Sequence, residues 1–121
     1  MSVPLGKSTM RELDRQLRGW HTLLDRYTAD TYHKGRHLLE DGKVTPDDEA
    51  EGIWWVQGNG KKPYRVGLIS YEDQPSLTCT CPNGRNRGGL PSCYHTAAVA
   101  LLGRETVAEA IEMEKEKRSE R

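Results

Sequence analysis

Every cysteine of this chain lies between residues 79 and 93, within the stretch LTCTCPNGRNRGGLPSCYH, and a histidine closes it. Cys79 and Cys81 form one pair that skips a position, and Cys93 and His95 form another. On an extended strand, side chains two apart point the same way, so the first pair presents both sulfurs on one side. The second pair falls where a loop runs into an apolar helical stretch, and a first turn there can bend both groups toward one point. Three thiolates and an imidazole match a closed tetrahedral zinc site. Other uses of the residues stay open. A disulfide between Cys79 and Cys81 would be strained. A Cys93–His95 nucleophilic pair has no acidic or amide residue obviously placed to orient the imidazole. The third alternative is ordinary buried thiols.

Composition makes a staple useful. Only 35% of the residues are hydrophobic, Phe is absent and 30% are charged. A small domain with so few apolar side chains often needs a metal or a disulfide. An odd number of cysteines, crowded together, suits a reduced compartment better than a secreted disulfide scaffold. The opening residues show no signal-peptide pattern and no run approaches a membrane span. The expectation is a cytoplasmic protein, nucleoid-associated or nuclear if it binds DNA, with no membrane partner. Formal net charge is zero, so only a local basic patch could attract nucleic acid.

Periodicity divides the rest. Met10, Leu13, Leu17, Trp20, Leu24 and Tyr27 recur every three or four residues, which predicts an amphipathic helix capped by Thr9 with Glu12. Asp30 is the expected cap of a second helix running to about Asp41, with Tyr32, Gly35, Leu38 and Leu39 inward and Gly42 at its end. Gly35 is expected to let a strand approach. The period then changes to that of strands. GIWWVQG and PYRVGLISY flank Asn59–Gly60, a hairpin signal, and SLTCTC follows the EDQP turn as a third strand. Ser92 is expected to cap a helix ending at Gly103, with Thr106 and Glu109 starting another that frays in the charged tail. His33 and His37 have helical metal-ligand spacing, with nothing else in support. The expected class is α+β: a small antiparallel meander and helix built as a zinc finger, flanked by N-terminal helices and a C-terminal helix. The expected divisions are 1–28 (arm and amphipathic helix), 29–103 (finger) and 104–121 (charged helical tail).

C-x-C-P at Cys79–Pro82, a loop, C-x-H at Cys93–His95 and the apolar HTAAVALL resemble the SWIM zinc finger. TYHKGRHLLEDGKV and VQGNGKKPYRVGLI are similar to that family's lead-in helix and hairpin, so the likeness covers roughly residues 31 to 103. It implies zinc held by Cys79, Cys81, Cys93 and His95, and a role in contacting DNA or proteins. Family members are often attached to helicases, transposases or ubiquitin-pathway proteins; none of those is recognisable here, so the finger is expected to act alone, as an oligomer or as an adaptor.

Two binding modes follow, and neither is enzymatic. Lys61, Lys62 and Arg65 on the hairpin, with Arg85 and Arg87 in the Gly-rich loop, form a candidate phosphate-binding patch for DNA or another nucleic acid, DNA being favoured over RNA. Of Trp54 and Trp55, which alternate faces, one is expected in the core, leaving the other to cover the sheet or stack on a base. The second mode is a protein partner, or self-association, through Leu13, Leu17, Trp20 and Leu24.

Overall fold

The computed structural model describes residues 9–58, 62–71, 74–81 and 93–119. Two helices, α1 (Met10–Leu24) and α2 (Ala29–Glu40), precede four strands and a long closing helix. The strands are β1 (Val44–Pro46), β2 (Ile53–Val56), β3 (Tyr64–Tyr71) and β4 (Gln74–Cys79), and the closing helix is α3 (Tyr94–Ser119). The sheet is an antiparallel meander in the order β1-β2-β3-β4. The class is therefore α+β, as the periodicities predict.

Local chemistry explains the helix ends. Thr9 caps α1, its Oγ1 accepting the Glu12 N–H at 3.2 Å. Thr28, rather than Asp30, caps α2 and accepts the Thr31 N–H at 3.2 Å. Asp30 instead sits in the first turn, where its charge suits the helix dipole, and pairs with Lys34 at 3.1 Å. After α2 the chain reverses through Gly42 at φ 71°. Gly42 and Lys43 donate N–H bonds to Leu39 and Leu38 carbonyls at 3.2 and 3.0 Å, which satisfies the open end of the helix.

The sheet differs from expectation at both edges. Val44–Pro46 adds a strand, paired Val44↔Val56 and Pro46↔Trp54, too short to show its own alternation. β4 begins at Gln74, so Gln74 and Pro75 belong to the ladder rather than to the turn. Pro75 is tolerated because β4 is an edge strand. The Asn59–Gly60 turn lies outside the described residues.

One face of the sheet carries Trp54, Val56, Val66, Leu77 and Cys79, all buried. α1 and α3 cover it, and α2 packs on α3. Leu13, Trp20, Leu23 and Leu24 of α1 and Ala97, Val99, Ala100, Leu101, Val107 and Ile111 of α3 complete the core. Two glycines set how closely these helices approach. A Cβ on Gly35 would lie 2.8 Å from the Ala97 side chain, so the element brought near by this glycine is α3 and not a strand. Gly103 does not end a helix. α3 runs through it, and the Thr106 hydroxyl donates to the Leu102 carbonyl at 2.8 Å inside the helix instead of capping a new one. The bare backbone at Gly103 forms a slot for the Trp20 indole, whose ring atoms would lie 2.6–2.9 Å from a Cβ there.

Gly103→Ala therefore tests the packing against propensity. Alanine favours a helix by about 1 kcal/mol, while wedging a methyl against a buried indole costs about 1–3 kcal/mol. Urea unfolding should show a net loss of stability; a stabilised variant would contradict the slot.

Candidate metal centre

Cys79 ends β4 and Cys81 follows it two residues on; Cys93 immediately precedes α3 and His95 lies in its first turn. Their ligand atoms all lie within 4.8 Å of one another, and the four residues are buried. Cys81 Sγ is 3.5 Å from Cys93 Sγ, and Cys93 Sγ is 3.8 Å from His95 Nδ1. A tetrahedral ion with bonds of about 2.0–2.3 Å separates its ligand atoms by roughly 3.5–3.8 Å. The four groups therefore form a cluster that can hold a metal ion. His33 and His37 are exposed and outside this group.

Each ligand has a local reason for its place. β4 pairs with β3 as far as Val66↔Cys79, and Thr80 extends the pairing with other atoms. Its N–H donates to the Arg65 carbonyl at 3.1 Å, and its hydroxyl accepts the Arg65 N–H at 3.0 Å. The strand expected to run through Cys81 ends at Cys79, and the chain bends at Thr80 and Cys81 while both sulfurs remain buried. The Cys81 N–H also points at Cys79 Sγ, 3.5 Å away.

Cys93 is the N-cap of α3. Its carbonyl accepts the Ala97 N–H at 3.2 Å, and the Thr96 N–H bonds its sulfur, as a Ser or Asp oxygen would be bonded at this position. The expected cap, Ser92, lies outside the described residues. Helix N-termini favour negative charge. The Cys93 thiol is held far below its ordinary range, first because the Cys79 thiol bonds it, and further by His95, the Thr96 N–H and Cys81, all against the cost of burial. Cys79 is pushed up by that same bond and by burial.

The His95 ring is boxed in. Tyr64 and Tyr94 lie against it with centroids 4.6 and 4.4 Å away. A Cβ on Gly58 would come within 2.8 Å of Nε2, so only glycine leaves room for the imidazole there. Nε2 is buried without a hydrogen-bond partner among the described residues. Behind the cluster, the Tyr27 hydroxyl donates to Thr96 Oγ1 at 2.8 Å, and the Thr96 hydroxyl donates to the Cys93 carbonyl at 2.9 Å. Burial raises the Tyr27 pKa above its usual range, so the phenol remains a donor. Sequence reasoning named neither Thr80 and Tyr94, which lie inside the motif, nor Gly58, Tyr27, Tyr64 and Thr96 in these supporting roles.

The other expected residues are distributed differently. Lys62 and Arg65 are exposed at the start of β3, whereas Lys61, Arg85 and Arg87 lie outside the described residues. Leu13, Trp20 and Leu24 are buried at 3%, 3% and 5% exposure, and Leu17 packs against the same core. The stripe expected to meet a partner is covered by the chain's own α3 and β4, so docking there would require α1 to leave its seat. Trp54 is fully buried, and Trp55 is the partly exposed member of the pair, its Nε1 donating to Asp47 Oδ1 at 2.9 Å.

The chain matches no protein-family model, no curated protein and no solved structure. Among the described residues, no helix is long and apolar enough to cross a membrane.

Cys81→Ser should lower metal content in the purified protein and reduce its thermal stability, and chelation of the unaltered protein should cause a similar loss. Full metal loading with an unchanged melting curve in the variant would remove Cys81 from the ligand set.

Proposed function

We propose that this chain is a non-enzymatic binding module stapled by zinc, which contacts nucleic acid, DNA in preference to RNA, through the outward face of its sheet and the Gly/Arg loop. The donor set supports zinc: thiolates and imidazole select it over hard cations such as magnesium. Four protein ligands fill a tetrahedral site and leave no position for a reacting water, which marks a structural rather than a catalytic role. The resemblance of C-x-C-P and C-x-H to the SWIM finger points the same way.

The observation that carries the binding reading is the cross-strand pair Trp55↔Arg65 on the face that α1 and α3 leave uncovered. Arg65 is exposed there, and Lys62 is exposed just before β3. Asp47 accepts the indole N–H at 2.9 Å and so fixes the edge of the Trp55 ring. Two backbone N–H groups, of Glu49 and Ala50, also bond its Oδ2. An aromatic residue and an arginine opposite each other on one face can supply a ring to stack on a base and a cation for phosphate.

Fluorescence anisotropy with labelled single- and double-stranded oligonucleotides, repeated over a range of salt, tests this. Affinity should fall steeply as salt rises, because phosphate contacts release condensed counterions. Arg65→Ala should reduce the salt slope by about one, and the pair Arg85→Ala with Arg87→Ala by about two. Trp55→Ala should weaken binding by about 1–3 kcal/mol without altering that slope. Binding that ignores salt, or that survives all these changes, would overturn the nucleic-acid reading.

A further inference from the structure

We infer that Tyr27 and Thr96 are positioning residues of the metal centre, so that the seating of α1 and metal affinity are coupled. The inference rests on the metal-binding reading of the cysteine–histidine cluster. It goes beyond that reading by making a segment outside the C-x-C and C-x-H motifs part of the centre.

The direction of the hydrogen bonds carries the inference. A carbonyl can only accept, so the Thr96 hydroxyl gives its one proton to the Cys93 carbonyl, 2.9 Å away. Its oxygen must then receive, and the donor is the Tyr27 hydroxyl at 2.8 Å, 69 residues away in sequence. Thr96 is fully buried and Tyr27 is only 8% exposed, so neither can replace this partner with bulk water. Thr96 therefore holds Cys93 twice, at the sulfur through its N–H and at the carbonyl through its hydroxyl.

Cys93 and His95 both belong to the opening of α3, and helix ends fray. Unwinding that turn would displace two ligands together. The hydroxyl chain from Tyr27 opposes unwinding from a point just beyond α1, where the Tyr27 N–H bonds the Leu24 carbonyl at 3.2 Å. Behind it, Leu13, Trp20, Leu23 and Leu24 anchor α1 in the core. If seated α1 favours the ligand geometry, bound metal must favour seated α1 by the same factor.

The test is competition of the 121-residue chain with a chelating dye for zinc, together with the absorption spectrum of the cobalt-substituted protein. Tyr27→Phe keeps the ring and removes only the donor; it should weaken zinc binding by up to about 10-fold, the low end for partners bonded directly to a metal ligand, since this bond lies one step further out. Thr96→Val should weaken it at least as much and broaden the cobalt ligand-field bands, whereas Thr96→Ser, which keeps the hydroxyl, should restore affinity and spectrum. Tyr32→Phe is the control. Its hydroxyl accepts from Arg104 at 3.1 Å and also ties a helix to α3, but makes no contact with the cluster. Its zinc affinity should be unchanged.

Equal zinc affinity in Tyr27→Phe and the unaltered chain would overturn the inference while leaving the metal centre intact. So would an equal loss in Tyr32→Phe, since the effect would then be general destabilisation. An unaltered chain that binds neither zinc nor cobalt would overturn the metal-centre reading itself, and this inference with it.

Discussion

Cys93 serves as a metal-ligand candidate and a helix cap at the same residue. Its sulfur lies 3.5 Å from Cys81 Sγ and 3.8 Å from His95 Nδ1, while Thr96 bonds that sulfur from within the first turn of α3. A metal-binding group and a helix start therefore share one set of contacts. Whatever holds the four ligand atoms together also holds the start of a helix that contributes six residues to the buried cluster, Ala97, Val99, Ala100, Leu101, Val107 and Ile111. In a chain with few apolar side chains, that linkage matters more than in a larger domain. Structural metal ions contribute on the order of 10–16 kcal/mol of apparent free energy, against a net folding stability of about 5–15 kcal/mol for a typical domain.

The core is compressed where helices cross. Gly35 lets α2 approach Ala97, and Gly103 admits the Trp20 indole, so α1 and α2 meet α3 at close range on either side of its apolar first half. Small residues at those two crossings allow a thin core to be dense. Close packing recovers dispersion contacts that a few large side chains could not make across a wider gap. It also draws α1 close to the cysteine–histidine cluster, and this is what puts the Tyr27 hydroxyl within reach of Thr96.

The sheet divides the labour between its faces. Inward, Trp54, Val56, Val66 and Leu77 are almost wholly buried beneath the helices. Outward, Trp55 and Arg65 stand opposite each other across β2 and β3, and Ile69 is 38% exposed. Side chains alternate along each strand, so the residues that build the core and those available to a ligand are neighbours in sequence. The two adjacent tryptophans are the clearest case: one is structural, and the other is positioned by Asp47 at the surface.

Patterns short enough to be written in neighbouring residues were legible in the chain itself. Two helices, the hairpin strands, the buried face shared by Leu77 and Cys79, and the grouping of Cys79, Cys81, Cys93 and His95 follow from spacing, because helix and strand periods and C-x-C geometry are local. Thr28 in place of Asp30 is a near miss of the same local kind, where two capping residues compete two positions apart. What required the folded molecule was long-range. Gly103 reads as a helix end until Trp20 is seen to fill the space above it, and the stripe on α1 reads as a docking surface until α3 covers it. Tyr27 and Gly58 carry no motif that ties them to the cysteines. Their roles arise only when elements far apart in sequence are packed within hydrogen-bond and van der Waals distance, and that separation is not encoded in any local period.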